Sequence, residues 1–244
     1  MSDERRAWQM VLEHIEADLL SGALRPGDHL PSERALSIEL GVGRSSVREA
    51  IRVLEVLGLI RTATGSGPTS GAIIVATPSG GMSALMRLQV AATGFAVSDI
   101  VKTRLVLETS VAADLAATEP RPDLTLATDL LDAMEPGEAD ATQLTINEFL
   151  ALDTQFHLTL AEILGNQVIA ATMAGLRSSV ESYARVGASH LDSWADASAR
   201  LMHEHRQIIA AIEAGDADRA RTVVHAHISG YYAESHLTGQ QLDQ

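Results

Sequence analysis

Apolar residues recur at helical spacing along most of this chain, and the places where that spacing fails mark its turns. Near the N-terminus, Trp8, Val11, Leu12, Ile15 and Leu19 fall at steps of three and four, which predicts an amphipathic helix ended by Gly22. Pro31-Ser32-Glu33 opens a second helix that runs through Leu40, with the serine as its cap. Gly41-Val42-Gly43 then breaks the pattern, because glycine enters positive φ at little cost and a three-residue turn needs that. Arg44 starts a third helix with Val47, Ala50, Ile51, Leu54 and Leu57 on its apolar face. The period shortens to that of strands at residues 59–63 and 72–75, on either side of the glycine-rich turn TGSGPTSG at 64–71. Residues 77–81 have the composition of a linker. Beyond it the helical period returns and persists. Helices are predicted near 83–93, 98–117, 122–134, 144–163, 166–186, 193–214 and 216–234, with Ser98 before Asp99 and Gly215-Asp216 as boundary signals. The fold class expected is mainly α.

The two helices around Gly41–Gly43 have the form of a helix-turn-helix, with residues 44–57 as recognition helix and the two strands as a wing. The first turn of that helix presents Arg44, Ser45, Ser46 and Arg48, the hydroxyls and guanidiniums that reach DNA phosphates and guanine edges in a major groove. The wing tip carries no Lys, Arg or His, so phosphate contact there falls to Gly65, Gly67 and the hydroxyls. The domains expected are an N-terminal winged helix-turn-helix at 1–77, a linker at 78–83 and an all-α helical bundle at 84–244.

Candidate chemistry in the helical part centres on histidine. Asp153 and His157 stand at i, i+4 in FLALDTQFHLTLAEIL, on a face shared with Phe149, Leu150, Phe156 and Leu160, so they point inward. His205 aligns with Ile208, Ile209 and Ile212, whereas His203 aligns with Gln207 and Ala210. His227 aligns with Ala220, Val223, Val224 and Tyr231, whereas His225 falls with Arg221, Thr222 and Ser229. Three helices thus aim Asp153, His157, His205 and His227 into one interior, where unpaired polar groups are costly. A carboxylate with three neutral imidazoles suits Zn²⁺, Ni²⁺ or Mn²⁺; a hydrogen-bonded polar core without metal is the alternative.

Composition and charge narrow the class. The chain has 244 residues, enough for two ordinary domains, and no cysteine, which excludes disulfides and thiolate metal sites. No apolar run is long enough to cross a bilayer and MSDERRAWQM is too polar for a secretory signal, so a cytoplasmic protein is expected. The net charge of −14 argues against a general polyanion binder. Its distribution matters more: of 18 basic and 32 acidic residues, positions 1–78 hold 8 and 10, leaving the acidic excess in the helical part. A near-neutral head with arginines at helix starts binds DNA through a local face, with strong salt dependence.

The run PGDHLPSERALSIELGVGRSSVREAIRVLEVLGLI resembles the winged helix-turn-helix of GntR-type bacterial transcription regulators. The resemblance implies DNA contact by Arg34, Arg44, Ser45, Ser46 and Arg48. Further on, D-x-x-F-H, then E-H-R-x-I-x-x-A-I-x-x-G-D, then H-x-H-I, resembles the helical ligand-binding (FCD) domain of the FadR-type branch in its metal-containing form. That likeness implies a divalent metal on Asp153, His157, His205 and His227. It also implies Arg104 as a clamp for a ligand carboxylate and Asn166 as a cavity residue. Arg104 can instead pair with Glu108 at i+4 on the surface, and Asn166 can cap the next helix. The function expected is a homodimeric repressor on double-stranded DNA with a palindromic operator, modulated by a small carboxylate effector; it is not expected to be an enzyme. A metal-sensing regulator and a metal-dependent hydrolase are the alternatives.

Overall fold

The computed structural model describes residues 7–63, 71–75, 79–93, 95–135 and 144–235. It divides into two compact units, Met1–Leu85 and Met86–Gln244.

The first unit contains α1 (Ala7–Ser21), α2 (Glu33–Leu40), α3 (Arg44–Val56) and an antiparallel pair, β1 (Ile60–Ala63) and β2 (Gly71–Ile74), in the register Ile60↔Ile74. Ser32 caps α2 by accepting the Ala35 N–H at 3.2 Å. Gly41 ends that helix in the left-handed conformation at φ 64°, where a side chain would be strained, and this sets the turn into α3. The core consists of Val11 and Ile15 from α1, Leu36 from α2, Val47, Ala50 and Leu54 from α3, and Ile60 and Ile74 from the strands. The expected Gly65 and Gly67 contacts lie outside the described residues.

Helix α4 (Ser79–Thr93) begins inside the stretch whose composition suggested a linker. Gly81 in its first turn serves packing. A Cβ on Gly81 would lie 1.5 Å from the Leu57 carbonyl oxygen, so only glycine lets this turn approach the end of α3.

The second unit comprises α5 (Val97–Ala117), α6 (Thr125–Met134), α7 (Ile146–Leu164), α8 (Gln167–Ala188), α9 (Trp194–Ala214) and α10 (Ala217–Glu234), with α5 packed against α7, α8, α9 and α10. The mainly helical fold read from the sequence is the fold observed. One boundary differs in cause. Ser98 is not the cap of α5: the helix starts at Val97, which is buried in the core, and Ala96 occupies the cap position without a side-chain hydrogen bond. Thr145 and Glu148 form a reciprocal capping box on α7, while Ser193 and Asp216 cap α9 and α10. These caps hold the starts of the helices that carry the polar interior. No described helix is long and apolar enough to cross a membrane.

Candidate metal centre

Helices α7, α9 and α10 deliver Asp153, His157, His205 and His227 to one buried point, where one ligand atom from each lies within 4.8 Å of the other three. His203 and His225, two positions from their buried neighbours, are exposed, as a helical period requires. Phe156 is fully buried with its ring centroid 4.8 Å from that of His205 and 5.3 Å from that of His157. It forms an apolar wall to the polar cluster.

The outer partners determine which nitrogens face inward. His157 Nδ1 lies 2.7 Å from Glu108 Oε2 on α5, and His227 Nδ1 lies 2.7 Å from Glu204 Oε2 on α9. A carboxylate oxygen at that distance accepts a hydrogen bond, so each ring donates from Nδ1 and, when neutral, leaves Nε2 as a lone pair. The two Nε2 atoms are 3.2 Å apart. Two lone pairs at that separation repel unless a proton or a cation lies between them.

At His227 protonation is opposed. Burial pushes the His227 imidazole below its ordinary value, with only partial compensation from Glu204. Burial, with the His227 ring beside it, pushes His205 down to about 4. His205 Nε2 is 3.1 Å from Asp153 Oδ1 but poorly aligned, and neither His205 ring nitrogen has a hydrogen-bond partner among the described residues. Leaving a buried donor and acceptor unmade costs about 1–3 kcal/mol each. Burial pushes the Asp153 carboxyl up, but the three surrounding imidazoles overcome that and hold it below the usual carboxylate range. The donor set is therefore one carboxylate oxygen and one nitrogen from each of three imidazoles, all within 4.8 Å of one another. That set fits a divalent transition ion, and Zn²⁺, Ni²⁺ and Mn²⁺ all accept such ligands.

Beside His157 lies a second polar group. Arg104, one turn before Glu108 on α5, is buried and not on the surface. Its Nε donates to Glu108 Oε1 at 2.6 Å and its Nη1 to the Tyr183 hydroxyl on α8 at 2.5 Å. Burial works against the Glu108 carboxylate, yet Arg104 and His157 hold its pKa at about 2. A small cavity of about 20 Å³ adjoins the cluster, lined in part by Arg104, Glu108, Thr154, His157, Met173 and Arg177. Asn166 stands elsewhere: its side-chain oxygen accepts the Val168 and Ile169 N–H groups at 3.2 Å each, capping α8.

Glu108, Tyr183 and Glu204 are the residues that sequence reasoning did not assign to the site. Glu108 is signalled by its i+4 spacing from Arg104, and Glu204 by its place directly before His205.

In the first unit, Arg34, Arg44, Ser45 and Arg48 are exposed and Ser46 is half-buried at the start of α3. Arg48 Nε is 2.8 Å from Glu33 Oε2, an exposed pair that ties α3 to α2.

Residues 99–230 match the FCD domain, and residues 8–69 match the bacterial regulatory proteins of the gntR family. Curated proteins similar to this chain include the Glc operon transcriptional activator of Escherichia coli strain K12, 30% identical over 177 residues, which are 72% of this chain and 68% of that protein. The HTH-type transcriptional regulator LutR of Bacillus subtilis strain 168 is 30% identical over 223 residues, 88% of this chain and 98% of its own length. The HTH-type transcriptional repressor NanR of Klebsiella aerogenes is 29% identical over 238 residues, 95% of this chain and 86% of its own. Among solved structures, Streptococcus agalactiae GntR aligns with a TM-score of 0.62 at 24% identity, covering 93% of this chain and 100% of that one, and shares the fold.

Proposed function

We infer that this chain, which belongs to the gntR family of bacterial regulatory proteins and carries an FCD domain, is a transcriptional regulator whose helical unit binds a divalent metal ion and, beside it, a small organic acid. Its relatives are transcriptional regulators, not enzymes. The observation that carries the metal reading is that Nε2 of His157 and Nε2 of His227 lie 3.2 Å apart inside a buried cluster with the Asp153 carboxylate and the His205 ring, whose nitrogens have no hydrogen-bond partner among the described residues. Asp153, His157, His205 and His227 hold the ion; an ion there supplies a Lewis-acidic position for a carboxylate oxygen. We assign to Arg104 a charge-assisted hydrogen bond to the other carboxylate oxygen, made when the guanidinium releases Glu108 or Tyr183. An acid larger than a water molecule enters the cavity once half-buried Met173 and Arg177 change rotamer.

At the other end of the chain, Arg34, Arg44, Ser45, Ser46 and Arg48 contact double-stranded DNA, with Arg48 exchanging Glu33 for phosphate. A homodimer sets two recognition helices on a palindromic operator, and the acid shifts the population between DNA-competent and incompetent states. The direction we favour is repression relieved by the acid, as the repressor name of one relative suggests.

Metal analysis of purified protein tests the first half. Wild type should carry about one ion per chain, and His157→Ala should lose it; no bound metal in either would leave only a polar core. Gel shifts on the protein's own promoter test the second half. Retention of specific binding by Arg44→Ala and Arg48→Ala would overturn the recognition-helix assignment.

A second reading makes the metal itself the signal. It is favoured by Arg104, whose guanidinium is already engaged by Glu108 and Tyr183. Titration separates the two. Operator affinity that follows free metal supports the metal sensor, whereas affinity that follows an organic acid at fixed metal supports the acid.

A further inference from the structure

We propose that Glu204 is a positioning residue of the metal centre: its carboxylate holds His227 in the tautomer and ring orientation that turn Nε2 to the ion, as Glu108 does for His157. The inference rests on the metal-binding reading above and concerns a residue that is not itself a ligand.

The helix geometry of α9 places Glu204 for this task. Successive residues on a helix point about 100° apart. His205 therefore enters the cluster directly, while Glu204 is directed along the side of α9 toward α10. There its Oε2 accepts from His227 Nδ1 at 2.7 Å. Its Oε1 accepts from Arg200 Nη1, one turn earlier, also at 2.7 Å. Arg200 extends in turn to Glu234 near the end of α10. Each oxygen of Glu204 thus has its own partner, which fixes the carboxylate behind the ring.

Glu108 stands in the same relation to His157, with Arg104 in the place of Arg200. Two of the three histidines are therefore backed by a carboxylate that is itself anchored by an arginine, from different helices, with the same 2.7 Å contact at Nδ1. Repetition of the arrangement on independent elements argues against an accidental surface pair. A carboxylate behind Nδ1–H has a chemical effect as well as a steric one: it draws the proton and makes Nε2 a better donor to a metal. Outer partners of this kind change metal affinity by about 10- to 100-fold when removed.

The competing account is that Glu204 only forms an i, i+4 ion pair with Arg200, at a partly exposed position where such pairs contribute little. The two accounts differ in their effect on the metal. Full-length protein is stripped of metal, and Zn²⁺ affinity is measured by competition with a chromophoric chelator. The visible absorption of the Co²⁺-loaded form reports the geometry of the ligand set. Glu204→Ala should weaken Zn²⁺ by about 10- to 100-fold and alter the Co²⁺ bands, while the helical content of the metal-free protein stays at the wild-type level. Glu204→Gln keeps an oxygen acceptor without the charge and should fall between the two. Arg200→Ala removes the surface pair but leaves the carboxylate, and should change affinity much less than Glu204→Ala. Wild-type affinity and an unchanged Co²⁺ spectrum in Glu204→Ala would overturn the proposal while leaving the metal centre intact. Failure of the wild type to bind either ion would overturn the metal reading and this inference with it.

Discussion

Acidifying the metal-free protein should destabilise its helical unit well before its carboxylates titrate. The responsible group is His205, completely buried and pushed from 6.5 to about 4. A depressed imidazole pKa means that the unfolded chain takes up the proton first. The contribution to stability is therefore whole above about pH 6.5 and shrinks as the pH falls toward about 4. A difference of about 2.5 units at 1.36 kcal/mol per unit is about 3 kcal/mol in full, of which about 2 kcal/mol is lost between pH 7 and about pH 5. His227, also pushed down by burial, acts in the same direction. Glu108 and Asp153 are held below their ordinary range and contribute to acid sensitivity only at lower pH. The measurement is urea unfolding in EDTA across this range, in a Trp8→Phe background so that Trp194, packed edge-on to Phe149 at 5.3 Å, reports the helical unit alone. A second arm with saturating Zn²⁺ should resist acid to a lower pH, because a coordinated imidazole takes no proton until the ion leaves. An unfolding midpoint that stays flat from pH 7 to about pH 5 would refute the reasoning, as would a His205→Gln variant that keeps the whole slope.

Three further outcomes are expected from the packing. Phe156→Ala, which empties a fully buried site between two of the histidines, should cost about 3–5 kcal/mol in urea unfolding and should weaken Zn²⁺ binding in the same preparation. Arg104→Ala should destabilise the helical unit by about 3–5 kcal/mol, because Glu108 keeps a buried charge without its partner; pairing it with Glu108→Gln should restore part of the loss. Gly81→Ala should cost the first unit about 1–3 kcal/mol, read from Trp8 fluorescence, since the added methyl meets the Leu57 backbone and not a side chain that can swing away.

Much of this protein was legible from periodicity, and the exceptions share a cause. The period separates His205 from His203 and His227 from His225, because facing inward is a property of one helix and its apolar stripe. It cannot show that Glu204, sorted to the side of α9, meets a ring on α10, because that contact depends on how two helices pack. Glu108 illustrates the same limit from the other direction. Its i+4 spacing to Arg104 was visible, but spacing does not distinguish a solvated pair from a buried one that also holds His157. At residues 79–81 serine and two glycines have the composition of a linker, and α4 begins there. Gly81 is required there by a close backbone approach, which no local pattern records. Ser98 was read as a cap because serine favours that role, but the cap position is Ala96, two residues earlier, and the helix starts at buried Val97.

The chain contains no cysteine, and therefore no permanent covalent tie between distant segments. His157 and His227 stand 70 positions apart, and an ion shared by them would close a loop of that length. On the loop-closure account a permanent cross-link of that span contributes about 4 kcal/mol. Here the fastening would be detachable, made and unmade by the supply of free metal in the surroundings, and the rigidity of half the molecule would rise and fall with it.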